Sequence, residues 1–122
     1  MFEPNLTILY VDSPAKSEAF YVNLLGRKPV ESSPTFAMFA FPSGMRLAFW
    51  SRHTVEPAIE NICWSGELAF PLSTRQDVDA AFAMLSNNGL KIIQQPQVMD
   101  FGYTFVALDP DGYRLRIYCP EL

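Results

Sequence analysis

The sequence predicts an α+β fold in which two consecutive βαβββ modules form a cupped mixed sheet with the helices on its convex face. Two observations support this: the order apolar strand, capped helix and three further strands occurs twice, and the modules share a spacing. Leu9 to Gly26 and Leu72 to Gly89 both span 17 residues. At 122 residues we expect one domain, with module one at 1–56, a linker at 57–64 and module two at 65–122.

The first module begins with an apolar strand at 5–11. Ser13 is a good N-cap and Pro14 suits the first helical position, while Gly26 suits the end of the helix. Phe20 and Leu24 are expected to share one face of this helix. Three strands are expected next, near 28–33, 35–41 and 45–52, with a Pro42-Ser43-Gly44 turn before the last.

The second module repeats this plan from a strand at 66–72. Thr74 is expected to cap a helix in a loose capping box with Asp77, and Asn88-Gly89 to end it. The apolar face of this helix should consist of Val78, Phe82 and Leu85. The remaining strands are expected near 91–95, 103–108 and 113–118, with a type I turn at 109–112 before the last.

Composition and charge exclude several classes of function. The net charge is −4 without a Lys/Arg cluster, so a nucleic-acid partner is not expected. No apolar stretch approaches the ~18–20 residues of a membrane span, and the first residues lack a signal-peptide pattern. Cys63 and Cys119 have neither metal-site nor redox-motif spacing. We therefore expect a cytoplasmic protein with two reduced thiols and no membrane contact.

The alternation of side chains along the strands predicts which residues face the helices. Leu47 and Phe49, and Leu115 and Ile117, should pack beneath the helices. The opposite, open face should carry Leu6, Ile8, Tyr10, Arg46, Ala48, Trp50, Arg52, Arg114, Arg116 and Tyr118. An open face this apolar needs a cover, which a ligand, a partner chain or both could supply. In the 35–41 strand, the sequence does not decide which of Phe36, Met38, Phe39 and Phe41 share that face.

Two segments, LYVDSPAKSEAFYVNLLG at 9–26 and DPDGYRLRIY at 109–118, resemble hallmark segments of the vicinal-oxygen-chelate superfamily, which includes glyoxalase I, extradiol dioxygenases and the bleomycin-resistance proteins. In its metal-dependent members, four open-face residues hold a divalent ion. By this resemblance those positions fall on Leu6, Ala48, Glu67 and Arg116. Only Glu67 can bind a metal, whereas a catalytic ion needs about three protein ligands. We therefore expect neither a metal nor another cofactor.

The stretches FAMFAFPSGMRLAFWS and STRQDVDAAF are similar to those of phenazine-antibiotic resistance proteins and other metal-free drug-binding members. The resemblance implies that Trp50 stacks on an aromatic ligand. The expected binding residues are Trp50, Tyr10, Ile8, Ala48 and Tyr118 as walls, Glu67 and Arg116 at the base, and Arg46 and Arg52 at the rim. Two structural alternatives stay open: Trp50 could belong to a dimer interface, and Glu67 and Arg116 could form a purely structural ion pair.

Three classes of function fit this sequence. The favoured one is metal-independent sequestration of a small planar aromatic compound, such as an antibiotic, by a homodimer. The second is a glyoxalase- or dioxygenase-type enzyme, which the missing ligands disfavour. The third is a metal-free enzyme with Glu67 as general base. The sequence shows no nucleophile elbow and no phosphate-binding loop.

Overall fold

The computed structural model describes residues 2–61 and 66–121. The chain forms two compact units, Met1–Ile62 and Cys63–Leu122. Each unit contains one four-stranded mixed sheet and one helix, in the order βαβββ. The predicted α+β class and the repeated module are therefore confirmed. Neither helix in the described part of the chain is long and apolar enough to span a membrane.

The elements of the first unit are β1 (Leu6–Val11), α1 (Pro14–Leu25), β2 (Glu31–Ser32), β3 (Phe36–Ala40) and β4 (Arg46–Ser51). Those of the second are β5 (Glu67–Pro71), α2 (Arg75–Asn87), β6 (Ile92–Met99), β7 (Gly102–Leu108) and β8 (Arg114–Pro120). The strand orders are β1-β4-β3-β2 and β5-β8-β7-β6. The β1–β4 and β5–β8 pairs are parallel, and the other pairs are antiparallel.

Both helices begin at the predicted caps. The Ser13 hydroxyl accepts a hydrogen bond from the Lys16 amide at 3.2 Å, and the Thr74 hydroxyl accepts one from the Asp77 amide at 3.0 Å. Gly26 ends α1 with a φ of 65°, where glycine is favoured. The capping box at α2 is wrong in one respect, because the Asp77 carboxylate does not bond back to the Thr74 amide in the described structure. Asp is one methylene shorter than the Glu that usually makes this contact.

The side of α1 that packs on the sheet is formed by residues other than Phe20 and Leu24. Pro14, Ser17 and Tyr21 are buried, while Phe20 and Leu24 are only partly covered. Tyr21 stacks on Phe49 with ring centroids 4.5 Å apart. Two adjacent aromatic residues cannot both point at the sheet, and the spacings of three and four from Pro14 select Tyr21. Phe20 instead contacts the edge of the Tyr21 ring, at 5.0 Å.

The cores lie between each helix and its sheet, as the strand alternation predicts. In the first unit Leu47 and Phe49 are buried, and in the second Leu115 and Ile117 are buried. Val78 and Leu85 of α2 are buried as predicted. Phe82 meets Phe105 edge-on at 5.4 Å. Cys119 is a buried free thiol, whereas Cys63 lies outside the described residues.

Two strands differ from their predicted lengths. β2 has only two residues, because the chain before it contains Pro29, which has no amide hydrogen to contribute to a ladder. β6 continues through Pro96 to Met99 instead of ending at 95. It is an edge strand with register shifts between Ile92 and Gln94 and again between Gln94 and Gln97, and edges and bulges are where a strand tolerates proline.

The turn before β8 forms as predicted. The Gly112 amide donates to the Asp109 carbonyl at 3.0 Å, and the Asp109 carboxylate accepts from the amides of Asp111 and Tyr113. β8 extends to Pro120, beside Gly102 at the start of β7. A Cβ on Gly102 would lie 2.0 Å from the Cys119 carbonyl oxygen, so this close approach of two backbones requires glycine.

Candidate functional site

The open face of the second unit is organised around Arg116 on β8. Because Leu115 and Ile117 are buried beneath α2, Arg116 and its neighbours Arg114 and Tyr118 project from the opposite face. Arg116 pairs in register with Ala69 on one side and Val106 on the other. It therefore occupies the middle of the open face, with only 14% of its side chain exposed.

Protein groups hold the Arg116 guanidinium on several sides. Its Nε donates to the Glu67 carboxylate at 2.5 Å, so the ion pair expected from the sequence is present. Its Nη1 donates to the Gln94 side-chain carbonyl at 3.1 Å and to the Thr104 hydroxyl at 3.2 Å. Thr104 is fully buried and donates its own hydrogen to the Ile117 carbonyl, which leaves its lone pairs to accept from Arg116. This side chain is fixed before any ligand arrives.

Two hollows flank Arg116. The first, which we call the aromatic hollow, has a volume of about 370 Å³ and is lined by Glu67, Ala69, Phe101, Arg116 and Tyr118. The Phe101 and Tyr118 rings meet edge-on at 6.1 Å, and the Arg116 guanidinium carbon lies 5.5 Å from the centroid of the Phe101 ring. The second, the polar hollow, measures about 520 Å³ and lies between β6 and the Arg114 end of β8. Arg116 belongs to both.

The open face of the first unit is apolar. Trp50 is half-buried and meets Phe36 edge-on at 6.3 Å. The β3–β4 register pairs Phe36 with Trp50 and Met38 with Ala48, so Phe36 and Met38 belong to this face. Phe39 lies on the other side, against Phe49.

The β1 residues of this face are large and exposed. Leu6, Ile8 and Tyr10 are 41%, 40% and 38% exposed, which is unusual for three successive open-face positions of one strand. Ala48 is fully buried, so its side chain presents no surface to a ligand.

The two arginines expected at the rim differ. Arg46 is exposed at the start of β4. Arg52 lies just beyond β4, where its Nη2 is 3.2 Å from the Asp12 carboxylate. The same oxygen is 2.8 Å from His53 Nε2, and the pKa of Asp12 is lowered by this hydrogen bond first and by the Arg52 charge second. Arg52 is therefore already paired with a carboxylate of the same unit.

The strand registers relate the two open faces position by position. Ala48 pairs with Ile8 on β1, as Arg116 pairs with Ala69 on β5. The same comparison makes Trp50 equivalent to Tyr118, so both units keep an aromatic residue there.

The same comparison of registers makes Leu6 equivalent to Glu67. Leu6 pairs with Arg46 at the start of β4, and Glu67 pairs with Arg114 at the start of β8. The four positions implied for a metal therefore form two equivalent pairs. Leu6 and Ala48 in the first unit are apolar, whereas Glu67 and Arg116 in the second unit form an ion pair. This donor set does not fit a divalent cation. Within residues 2–61 and 66–121, no three His, Cys, Asp or Glu side chains gather to bind one.

A family model described as the glyoxalase/bleomycin resistance protein/dioxygenase superfamily matches residues 4–117. The chain belongs to this superfamily. A curated relative, the phenazine antibiotic resistance protein EhpR of Enterobacter agglomerans, is 31% identical over 120 residues, which cover 96% of the chain and 91% of the relative.

Among solved structures, protein ATC0852 from Agrobacterium tumefaciens is 51% identical over the full length of both chains, with a TM-score of 0.90. A glyoxalase/bleomycin resistance protein/dioxygenase family enzyme from Burkholderia phytofirmans is 21% identical, with a TM-score of 0.82 and coverage of 96% and 98%. At that identity the second likeness concerns the superfamily fold alone.

Sequence patterns missed four residues of the site. Thr104 and Val106 alternate with Phe105, so their side of β7 could have been inferred from an inward-facing Phe105. Gln94 could not, because the register shifts in β6 break the alternation. Phe101 sits in the turn between β6 and β7, where no strand period applies.

Proposed function

We propose that this chain binds a small planar aromatic compound without a metal, and that it acts by sequestering that compound. The observation that carries the proposal is the aromatic hollow, in which two rings at a steep angle and a fixed guanidinium surround a space of about 370 Å³. Ligand sites are commonly concave and mostly apolar, with a few fixed polar groups. The likeness to a phenazine antibiotic resistance protein supports the same class of ligand.

The hollow offers a planar ligand two kinds of contact. An aromatic system can stack on Tyr118 or meet the edge of Phe101, geometries that each contribute about 0.5–1.5 kcal/mol beyond the buried area. A polar substituent can meet the Nη2 group of Arg116, which donates to none of the described residues. Since the guanidinium is already held, this hydrogen bond costs little side-chain entropy.

Trp50 is the corresponding aromatic residue of the first unit. Its ring is half-buried and supported edge-on by Phe36. We propose that it stacks on a planar ligand at the open face of the first unit, because a large indole held by a neighbour presents a rigid face at a low entropic cost.

The catalytic alternatives have weaker support. Glyoxalase- and dioxygenase-type reactions rely on a ligand set that the four equivalent positions do not provide. A general base at Glu67 would have to work beside a guanidinium that already occupies one of its oxygens. Among the residues that line the aromatic hollow, the Tyr118 hydroxyl is the remaining group that could return a proton, and none of them is a histidine, a lysine or a second carboxylate.

The proposal is tested by calorimetric titration of the purified protein with phenazine. We expect saturable one-to-one binding per site. Trp50→Ala and Tyr118→Ala should each weaken it by roughly ten- to a hundredfold, corresponding to about 1–3 kcal/mol. Phe2→Ala is the control, because Phe2 is a fully exposed aromatic residue outside both sheets.

Two results would overturn the proposal. One is the absence of heat with phenazine and with other planar heteroaromatics such as acridine. The other is binding that survives both substitutions. If Trp50→Ala leaves the phenazine affinity intact but breaks up an oligomer in sedimentation, Trp50 is an interface residue and only Tyr118 remains at the site.

A further inference from the structure

The proposed function does not use the polar hollow, although it is the larger of the two, at about 520 Å³ against about 370 Å³. Its lining residues include three glutamines and two arginines: Gln94, Gln95, Gln97, Arg114 and Arg116. It shares Arg116 with the aromatic hollow. A ligand that fills the aromatic hollow and extends past this guanidinium would therefore enter the polar one.

The polar hollow carries an uncompensated positive charge. Glu67 neutralises Arg116, but it lines only the aromatic hollow. Arg114 is exposed and forms no ion pair with any described residue, and no Asp or Glu lies among the residues that line this hollow. A single guanidinium without a carboxylate partner favours an anionic group.

The glutamines add hydrogen-bond donors to this charge. Gln94 is fixed in orientation, because its carbonyl accepts from Arg116 and its amide nitrogen lies 3.3 Å from the Met99 sulfur. The side-chain amides of Gln95 and Gln97 make no hydrogen bond within the described residues. The register shifts on either side of Gln94 explain how one edge strand brings three glutamines to a single hollow, since bulges redirect side chains.

We propose that the ligand is a planar aromatic compound with a short acidic arm, and that Arg114 is the residue that selects the acid. The ring lies in the aromatic hollow against Tyr118, and the arm passes Arg116 to place its carboxylate against Arg114 in the polar hollow. This inference rests on the proposed function for the ring and adds the chemistry of the substituent.

The test compares three compounds by calorimetric titration: phenazine, phenazine-1-carboxylate, and phenazine-1-carboxylate joined through an amide to glycine, which carries the acid on a longer arm. We expect the native protein to bind the glycine conjugate at least about tenfold more tightly than phenazine, in keeping with a hydrogen bond to a charged group. This preference should shrink as the salt concentration rises.

Arg114→Gln should remove most of the preference, so that the affinity for the acid falls about tenfold while the affinity for phenazine changes less than twofold. Arg114→Lys keeps the charge and should retain part of the preference. Lys28→Gln is the matched control, because it removes the same charge from an exposed position in the first unit. Circular dichroism of each variant verifies the fold.

The possible outcomes separate the two proposals. If none of the three compounds binds the native protein, the proposed function and this inference both fail. If phenazine binds but the acids bind no better, or if Arg114→Gln weakens all three equally, the inference fails and the proposed function stands. A preference that Arg114→Gln abolishes and Lys28→Gln preserves supports the inference.

Discussion

Replacing Arg116 with methionine should destabilise the protein measurably without any ligand. Methionine keeps most of the apolar stem but removes hydrogen bonds to Glu67, Gln94 and Thr104. Thr104 is fully buried, so its oxygen loses a donor that water cannot replace, whereas Glu67 is 33% exposed and regains water. Hydrogen bonds to charged groups contribute about 1.5–3 kcal/mol, and rehydration of Glu67 and Gln94 offsets part of the loss. We expect a decrease of about 2 kcal/mol in the free energy of unfolding.

A double-mutant cycle isolates the ion pair within this network. Glu67→Gln leaves a carbonyl that can still accept from Arg116, so its cost should be about 1 kcal/mol. The double variant should cost less than the two single changes together, by about 1 kcal/mol, because each single change already breaks the shared contact. Urea denaturation followed by circular dichroism measures all four proteins.

Arg114→Met is the matched control, since Arg114 is exposed and unpaired within the described residues, and it should change stability by no more than about 0.5 kcal/mol. A value for Arg116→Met as small as that of the control would refute the network. Additive effects would refute the coupling between Arg116 and Glu67.

Three further predictions concern assembly, metals and pH. The exposed Leu6 and Ile8 side chains predict a homodimer, so sedimentation equilibrium should give about twice 13.8 kDa and Ile8→Glu should shift the equilibrium toward monomer. Nickel or zinc should leave the melting temperature unchanged, whereas a rise that chelator reverses would contradict the metal-free site. Because His53 and Arg52 lower the pKa of Asp12, the folded state is favoured above the ordinary Asp pKa and loses this contribution on acidification. Asp12→Asn should therefore lose less stability than the parent between roughly pH 5 and 2 in acid titrations, and equal losses would contradict the pairing.

Local rules are enough to predict most of the fold. Caps at Ser13 and Thr74 depend on side chains three residues from the amides they satisfy, and strand alternation in β4 and β8 depends on neighbours in sequence. These signals are complete within a short window, which explains why the element order and the buried faces of β4 and β8 agree with the structure. The choice between Phe20 and Tyr21 is different, because it depends on the position of Phe49 in the sheet.

The site is harder to predict for the same reason. The side of β3 on which Phe36 and Met38 lie depends on its register with β4, and both faces of that strand are apolar, so the alternation gives no sign. Gln94 reaches Arg116 only because β6 shifts its register, and Phe101 reaches it from a turn. Glu67 and Arg116 were predictable because both lie in regular strands with an apolar inner neighbour. Residues brought together by irregular backbone are the ones that a sequence pattern omits.

The comparison between the units indicates how one fold supports a charged network on one open face and an apolar surface on the other. Trp50 and Tyr118 are equivalent and both aromatic, while Ala48 and Arg116 are equivalent and differ in size and charge. An aromatic surface is thus common to both open faces, and the charged network belongs to one. A buried arginine requires partners on several sides, and Glu67, Gln94 and Thr104 come from three different strands to provide them. In the first unit, Leu6 and Met38 occupy the positions of Glu67 and Val106, so an arginine in place of Ala48 would find no carboxylate beside it. The asymmetry therefore follows from the cost of burying a charge. Under the proposed function, the second unit is the one that would orient a polar ligand group.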